Sequence, residues 1–515
     1  MVRASVLSRS SLLPIYANTI RHPQCGLYAL SSRNGLHQKL RVVSTTRRRI
    51  HSSSTRPSPP AEQSALAATA SVSHLPTEVP GPSLPMAKSA PLSVLPLSTV
   101  LRNLATTSIS SSPILLPPSL AIMNVLAHSN QPLLNPDKNP LLRWFLKKTF
   151  YAQFCAGENA AEVRRTIDSL KKIGFTGVIL GYAREIVLTD AQTQKLAACE
   201  EGPVAEECVR NEIGPWAAGT LETVRLAQPG DFVALKFTGA GRQALYALKN
   251  RLPPPKHLRK AIDEICALAA ERDVPLLFDA EQMTVQAGID DWTLEYQRKY
   301  NKIPGHALIY GTYQAYLKST AKTLAEHLAV AAKEDFTLGV KLVRGAYLGS
   351  DPRHIIHDTK ADTDAAYNGI AASLICRQWG SVLKSPEEGL KFPRVSILLG
   401  SHNLESVRRA RAIRDSEKAD RTTELAIAQL QGMADEVSCE LVYASRQRDG
   451  YVRDKGDVPK AYKYIVWGTT GECMKYLLRR AHENKDAVAR TRSGRDAMWN
   501  EVKRRFRTSL GLATA

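Results

Sequence analysis

Polar and charged side chains stand at the ends of successive apolar segments of this 515-residue chain. Lys236 sits in FVALKFTG, Asp279 and Glu281 close VPLLFDAE, and Gln314 closes HALIYGTYQ. Lys341 and Arg344 interrupt LGVKLVRGAY, Ser401 and His402 lie near the end of RVSILLGSHN, and Tyr464 belongs to YKYIVWGTT. Each has a plain reading alone: Lys236 as a paired core charge, Asp279 as a helix N-cap. Their recurrence at the same end of most segments argues otherwise, because burying polar groups without partners is costly. A ring of this kind reads as an active site.

The last segment is followed by GECMKYLLRRAHENKDAV, a helical stretch with adjacent Arg479 and Arg480 and with Glu483 one turn on. Arg479 and Glu483 at i, i+4 could form an ordinary surface ion pair. Yet Tyr476 and Leu477 can seat the helix on a core, and two guanidiniums can grip a carboxylate through forked hydrogen bonds. That arrangement suits a small carboxylic acid as substrate. A competing signal, Gly239-Ala-Gly241-Arg-Gln-Ala244, fits the degenerate dinucleotide fingerprint. No strand ending in an acid follows it at the required distance, and the chain runs into Pro253, Pro254 and Pro255. A nucleotide cofactor, if bound, belongs to another scaffold.

That scaffold is legible in eight segments, at 176–183, 231–239, 274–281, 306–314, 338–347, 394–403, 424–433 and 462–470. Their apolar runs are nearly continuous, as in strands buried on both faces of a parallel sheet. Amphipathic helices such as HLRKAIDEICALAAERD lie between them. The fold class is therefore α/β, a distorted (βα)8 TIM-like barrel with N-terminal helices and a C-terminal helix carrying the Arg pair. Its functional groups should gather where the strands end.

Composition sets the remaining boundaries. The net charge of +20 suggests nucleic acid at first sight, but residues 1–61 hold nine Arg, one Lys and no acid. Half of the excess thus lies outside the barrel, and no nucleic-acid partner is expected. Residues 1–56, rich in Arg and Ser with interleaved Leu, Val and Ile, read as a mitochondrial transit peptide. A basic arm binding nucleic acid or anionic lipid is the alternative. Residues 57–118 contain 12 Pro and 12 Ser with few charges and read as a disordered linker, leaving 119–515 for the barrel. The apolar run 114–126 is too short to span a bilayer. The eight Cys and twelve His show no CxxC or HExxH spacing, so no metal site is expected.

Six strings resemble the proline dehydrogenase family in order: FDAEQ (278–282), YGTYQAYLK (310–318), KLVRGAY (341–347), GSHN (400–403), QLQGM (429–433) and YLLRRAHEN (476–484). The resemblance spans roughly 145–510. It implies FAD-dependent oxidation of L-proline to Δ1-pyrroline-5-carboxylate, with electrons passed to ubiquinone on the matrix side of the inner mitochondrial membrane. Membrane contact would be peripheral. It also implies that Arg479, Arg480 and Lys236 hold the proline carboxylate, that Tyr464 and Tyr347 wall the ring, and that Asp279 supports the site. Lys341 would lie near flavin N5, where bacterial members often carry Arg, and Gln314 would bond the isoalloxazine edge. Arg344, Gly345 and Ala346 would meet the pyrophosphate, and Ser401, His402 and Glu483 the nucleotide half. Hydroxyproline is the nearest rival substrate, and Tyr464 would crowd its hydroxyl. A Schiff-base aldolase-type barrel using Lys236 or Lys341 is a separate alternative, since barrel lysines can do that chemistry.

Overall fold

In the computed structural model, the described residues are 90–184, 202–449, 458, 460–484 and 488–512. The expected transit peptide, and the expected linker up to residue 89, lie outside them.

Nine parallel strands form one sheet: β1 (Cys155–Gly157), β2 (Gly177–Tyr182), β3 (Phe232–Leu235), β4 (Leu276–Phe278), β5 (Ile309–Gln314), β6 (Leu338–Val343), β7 (Val395–Gly400), β8 (Glu424–Leu430) and β9 (Lys460–Trp467). Strands β2 to β9 pair in sequence, and β9 returns to pair with β2 over Tyr462↔Gly177 to Trp467↔Tyr182. The eight expected strands therefore close into a barrel. The short β1 was not expected; it pairs with Val466 and Trp467 of β9, beyond the point where β8 stops.

A period of two explains why the strands read as continuous apolar runs. One face of each strand fills the lumen, where Ile179, Phe232, Leu277, Tyr310, Leu398, Ala426 and Tyr462 pack together. Phe232 meets Tyr310 and Tyr462 edge-on at 5.6 and 5.1 Å. The other face meets the surrounding helices, among them α3 (Ala160–Ile173), α4 (Gly214–Leu226), α5 (Arg242–Lys249), α6 (Lys256–Glu271), α7 (Met283–Tyr300), α8 (Thr320–Lys333), α9 (Lys360–Cys376), α10 (Leu404–Asp415) and α11 (Asp435–Asp449). The chain ends with α12 (Thr470–Asn484) and α13 (Val488–Ser509).

The expected linker differs from the structure over its described part. Helix α1 (Leu97–Ser111) and helix α2, which starts at Leu116 and runs to His128, occupy its last third. Val100 and Leu104 of α1 pack on Met498 and Val502 of α13. Buried Asn103 donates to Asp435 Oδ2 at 2.7 Å, and the same carboxylate receives Lys463 Nζ of β9 at 2.6 Å. The prolines misled because they sit at permitted places: Pro96 precedes α1, and Pro117 and Pro118 lie in the first turn of α2, where no intrahelical donor is needed.

Candidate active site

The lumen's period of two also aims the polar residues. Two positions beyond Leu277 comes Asp279, two beyond Ala234 comes Lys236, and two beyond Tyr462 comes Tyr464. Gln314 and His402 each lie four beyond a lumen residue, Tyr310 and Leu398. Lys341 is the register partner of Leu398. Six functional candidates from six strands therefore lie toward the C-terminal ends of the barrel strands, where such folds carry their chemistry.

Asp279 is the hinge of that group. One carboxylate oxygen, Oδ1, is ion-paired with Lys341 Nζ; the other, Oδ2, accepts from the Tyr464 hydroxyl at 3.2 Å. The Lys341 ammonium also lies 5.4 Å from the centre of the Tyr464 ring, a cation–π contact. Burial, with the nearby Asp279 charge, holds the Tyr464 phenol well above its ordinary range, so it stays a donor. Glu281, also buried, accepts from the Thr238 backbone N–H at 3.0 Å and from its hydroxyl. Burial raises the pKa of this carboxyl, against the lowering by those two hydrogen bonds.

Helix α12 brings the Arg pair. Both guanidiniums lie over the Tyr476 ring, with Cζ 5.9 Å (Arg479) and 5.6 Å (Arg480) from its centre, and Lys236 Nζ approaches the same ring at 5.8 Å. Three cations from two distant segments thus share one aromatic platform. The sequence hinted at this only through spacing, since Tyr476 precedes the pair by three and four residues. Tyr347, whose hydroxyl points to Ala280 O at 3.4 Å, is held above its ordinary pKa by burial first and by Glu281, against the pull of Arg479 and Arg480.

The remaining candidates line the other side of the mouth. Gln314 Oε1 accepts from Ala346 N–H at 3.1 Å. Gly345, at φ +147°, lies so close to Tyr316 that a Cβ there would stand 2.3 Å from the ring. Arg344 pairs with Asp364, donates to Ser406 Oγ at 3.1 Å and stacks 5.5 Å from the Tyr367 ring. Ser401 Oγ accepts from Asn403 N–H at 3.1 Å, and His402 Nε2 accepts from Leu430 N–H at 3.1 Å. An accepting Nε2 leaves the ring proton on Nδ1. The side chain of Glu483 lies outside the described residues. A cavity of about 160 Å³, walled by Leu120, Met123, Phe154, His402, Leu477 and Arg480, runs from the mouth to α2.

The dinucleotide fingerprint has another occupant. Arg242 N–H, at the start of α5, donates to Glu212 Oε2 at 2.7 Å, and a Cβ on Gly241 would meet the same oxygen at 2.1 Å. A carboxylate of the chain itself fills the position a phosphate would need. Among the described residues no group of His, Cys, Asp and Glu could hold a metal ion.

The proline dehydrogenase family matches residues 163–493. The chain is 30% identical over 406 residues to a probable mitochondrial proline dehydrogenase of Schizosaccharomyces pombe, covering 70% of this chain and 80% of that one. It is 29% identical over 406 residues to mitochondrial proline dehydrogenase 1 of Dictyostelium discoideum, covering 71% and 66%. Its fold is similar to that of proline utilization A from Bdellovibrio bacteriovorus inactivated by N-propargylglycine, with a TM-score of 0.53 at 17% identity. The overlap covers 77% of this chain and 42% of that longer protein.

Proposed function

Because the chain belongs to the proline dehydrogenase family and is an oxidoreductase acting on proline, we propose that its barrel mouth binds L-proline beside FAD and passes electrons to ubiquinone. The observation that carries this reading is the grouping of Arg479, Arg480 and Lys236 around Tyr476, beside the Asp279–Lys341–Tyr464 group. Three cations suit one carboxylate, and the half-buried aromatic walls of Tyr464 and Tyr347 suit a small apolar ring.

The residues present fit a flavin dinucleotide. Lys341 would stand nearest the reactive edge, and Gln314, fixed by Ala346 N–H, would meet the isoalloxazine. Arg344, Gly345 and Ala346 would face the pyrophosphate, with Ser401, His402 and Glu483 toward the nucleotide half. FAD, when bound, supplies the hydride acceptor for oxidation of the ring C–N bond to C=N. The chain's own groups bind and orient. The Arg pair and Lys236 fix the carboxylate, which places the carbon next to nitrogen and lowers the entropic part of the barrier. Tyr464 and Tyr347 exclude water from the ring. Lys341, held by Asp279, places a fixed positive charge where negative charge develops on reduction. No side chain is assigned as base, so the amine proton leaves to water.

The relatives' names support a mitochondrial location, and a lipid-soluble acceptor would place the enzyme in peripheral contact with the inner membrane on its matrix side. The test is an absorbance spectrum of the purified chain, followed by steady-state turnover with proline, hydroxyproline and a quinone analogue. A flavin band and a preference for proline are expected. Turnover without a flavin band, together with trapping of a lysine adduct by borohydride, would replace this reading with the Schiff-base one.

A further inference from the structure

Of the twenty large apolar side chains that are exposed among the described residues, eleven fall between Leu97 and Phe145. Isolated exposed leucines are ordinary, but such a concentration marks an interaction face. Two helices show its form. In α2, Met123 and Ala127 are buried against α12, while Ala121, Ile122 and Val125 point outward with Pro117 and Pro118. In the short helix Pro140–Leu146, Leu146 is buried, whereas Leu141, Trp144 and Phe145, at i, i+3 and i+4, are 79%, 62% and 54% exposed. Surface helices normally put the apolar stripe inward and polar groups outward. Here an apolar stripe is outside as well.

Charge identifies the occupant. From residue 90 to 157 the chain has a single acid, Asp137, while Lys138, Arg143 and Lys148 are exposed beside the apolar side chains. Apolar and aromatic groups flanked by Lys and Arg match the boundary of an anionic bilayer, where rings sit at headgroup level and cations meet phosphate. Among the described residues no single helix is long and apolar enough to cross a membrane, and α1 and α2, which reach that length and hydropathy only together, are bent by 105° at their junction. Helix α1 is moreover engaged by α13.

We propose that the face formed by α2 and Pro140–Leu146 docks on an anionic membrane surface. This rests on the reading of the acceptor as lipid-soluble ubiquinone, and it gives that reading a geometry. The inner side of α2 packs on α12, which carries the Arg pair, and walls the cavity that reaches His402 and Arg480. The bilayer would therefore lie one helix away from the site.

The test is flotation of the full chain with phosphatidylcholine vesicles, with and without phosphatidylglycerol. Binding to the anionic vesicles is expected, weakened about tenfold or more by the triple substitution Leu141→Ser, Trp144→Ser, Phe145→Ser. Proline turnover with a soluble dye acceptor should be unchanged by it. Should that variant fold poorly, Lys138→Glu with Arg143→Glu probes the same face by charge, and binding should fall with it and lose its salt dependence. No vesicle binding by the wild type, or equal binding by the variants, overturns the proposal. So does a wild type that self-associates through this face, shown by a monomeric triple variant with unchanged flotation. Flotation needs no turnover, so a chain that fails to oxidise proline still gives a clear answer here.

Discussion

Tyr464 donates its hydroxyl to Asp279 Oδ2 at 3.2 Å, joining the last barrel strand to the end of β4 across 185 residues of sequence. The other oxygen of the same carboxylate holds the Lys341 ammonium. One acid thus fixes both the cation and the aromatic wall, so its removal disturbs both.

Asp279→Ala should leave the Lys341 ammonium buried without its partner, at a cost of about 3–5 kcal/mol. Thermal unfolding should show it, and the flavin should be lost or loosened in the absorbance spectrum. Tyr464→Phe removes a single hydrogen bond and should cost about 1 kcal/mol, with the flavin retained. Equal effects of the two would show that Asp279 is not the hinge.

The Tyr476 platform separates ring from hydroxyl. Tyr476→Phe keeps the face on which Lys236, Arg479 and Arg480 rest, and should change the KM for proline little. Tyr476→Leu should raise KM roughly tenfold, and Arg479→Met should raise it further, by about 100-fold, with flavin still bound. Unchanged kinetics in Arg479→Met would sink the carboxylate clamp.

Gly345→Ala places a Cβ against the Tyr316 ring at a backbone angle that L-residues rarely adopt. The combined strain should cost at least about 2 kcal/mol. A melting temperature within error of the wild type would contradict this close approach.

His327 supplies a pH test. Burial lowers its pKa to about 4, and its Nδ1 lies 2.8 Å from the Tyr313 hydroxyl. Its folded pKa lies below the ordinary 6.5, so in the window between them the unfolded chain binds the extra proton. The native state is then favoured at higher pH, and that contribution is lost as pH falls from about 6.5 toward 4. The stability of the wild type relative to His327→Gln should decline by up to about 3 kcal/mol across that window. Taking the difference cancels the carboxyls, notably Asp290, whose pKa burial raises to about 7 with the opposite slope. Parallel curves for the two proteins would exclude this assignment.

Much of this is legible in the sequence. Continuous apolar runs announce strands covered on both faces, because a residue aimed into the lumen and its neighbour aimed at a helix are both dry. All eight barrel strands were found that way, along with the polar residues at their ends. The chain order of KLVRGAY and YLLRRAHEN sufficed for the family. Local composition failed in two places. It made a linker of a span whose prolines are helix starters, and it gave no sign of the three-residue β1, whose existence depends on where β8 stops.

What the sequence by itself determined were the period-two strands, the helix carrying Arg479 and Arg480, and the residue types able to bind a carboxylate. Only the tertiary structure decided which of them meet. That Asp279 takes both Lys341 and Tyr464, that Lys236 shares the Tyr476 ring with the Arg pair, and that Glu212 fills the Gly241 turn all depend on barrel closure and on where α12 lands. Hydrogen bonds and ion pairs act over a few ångströms, and closure brings together groups that are tens to hundreds of residues apart along the chain.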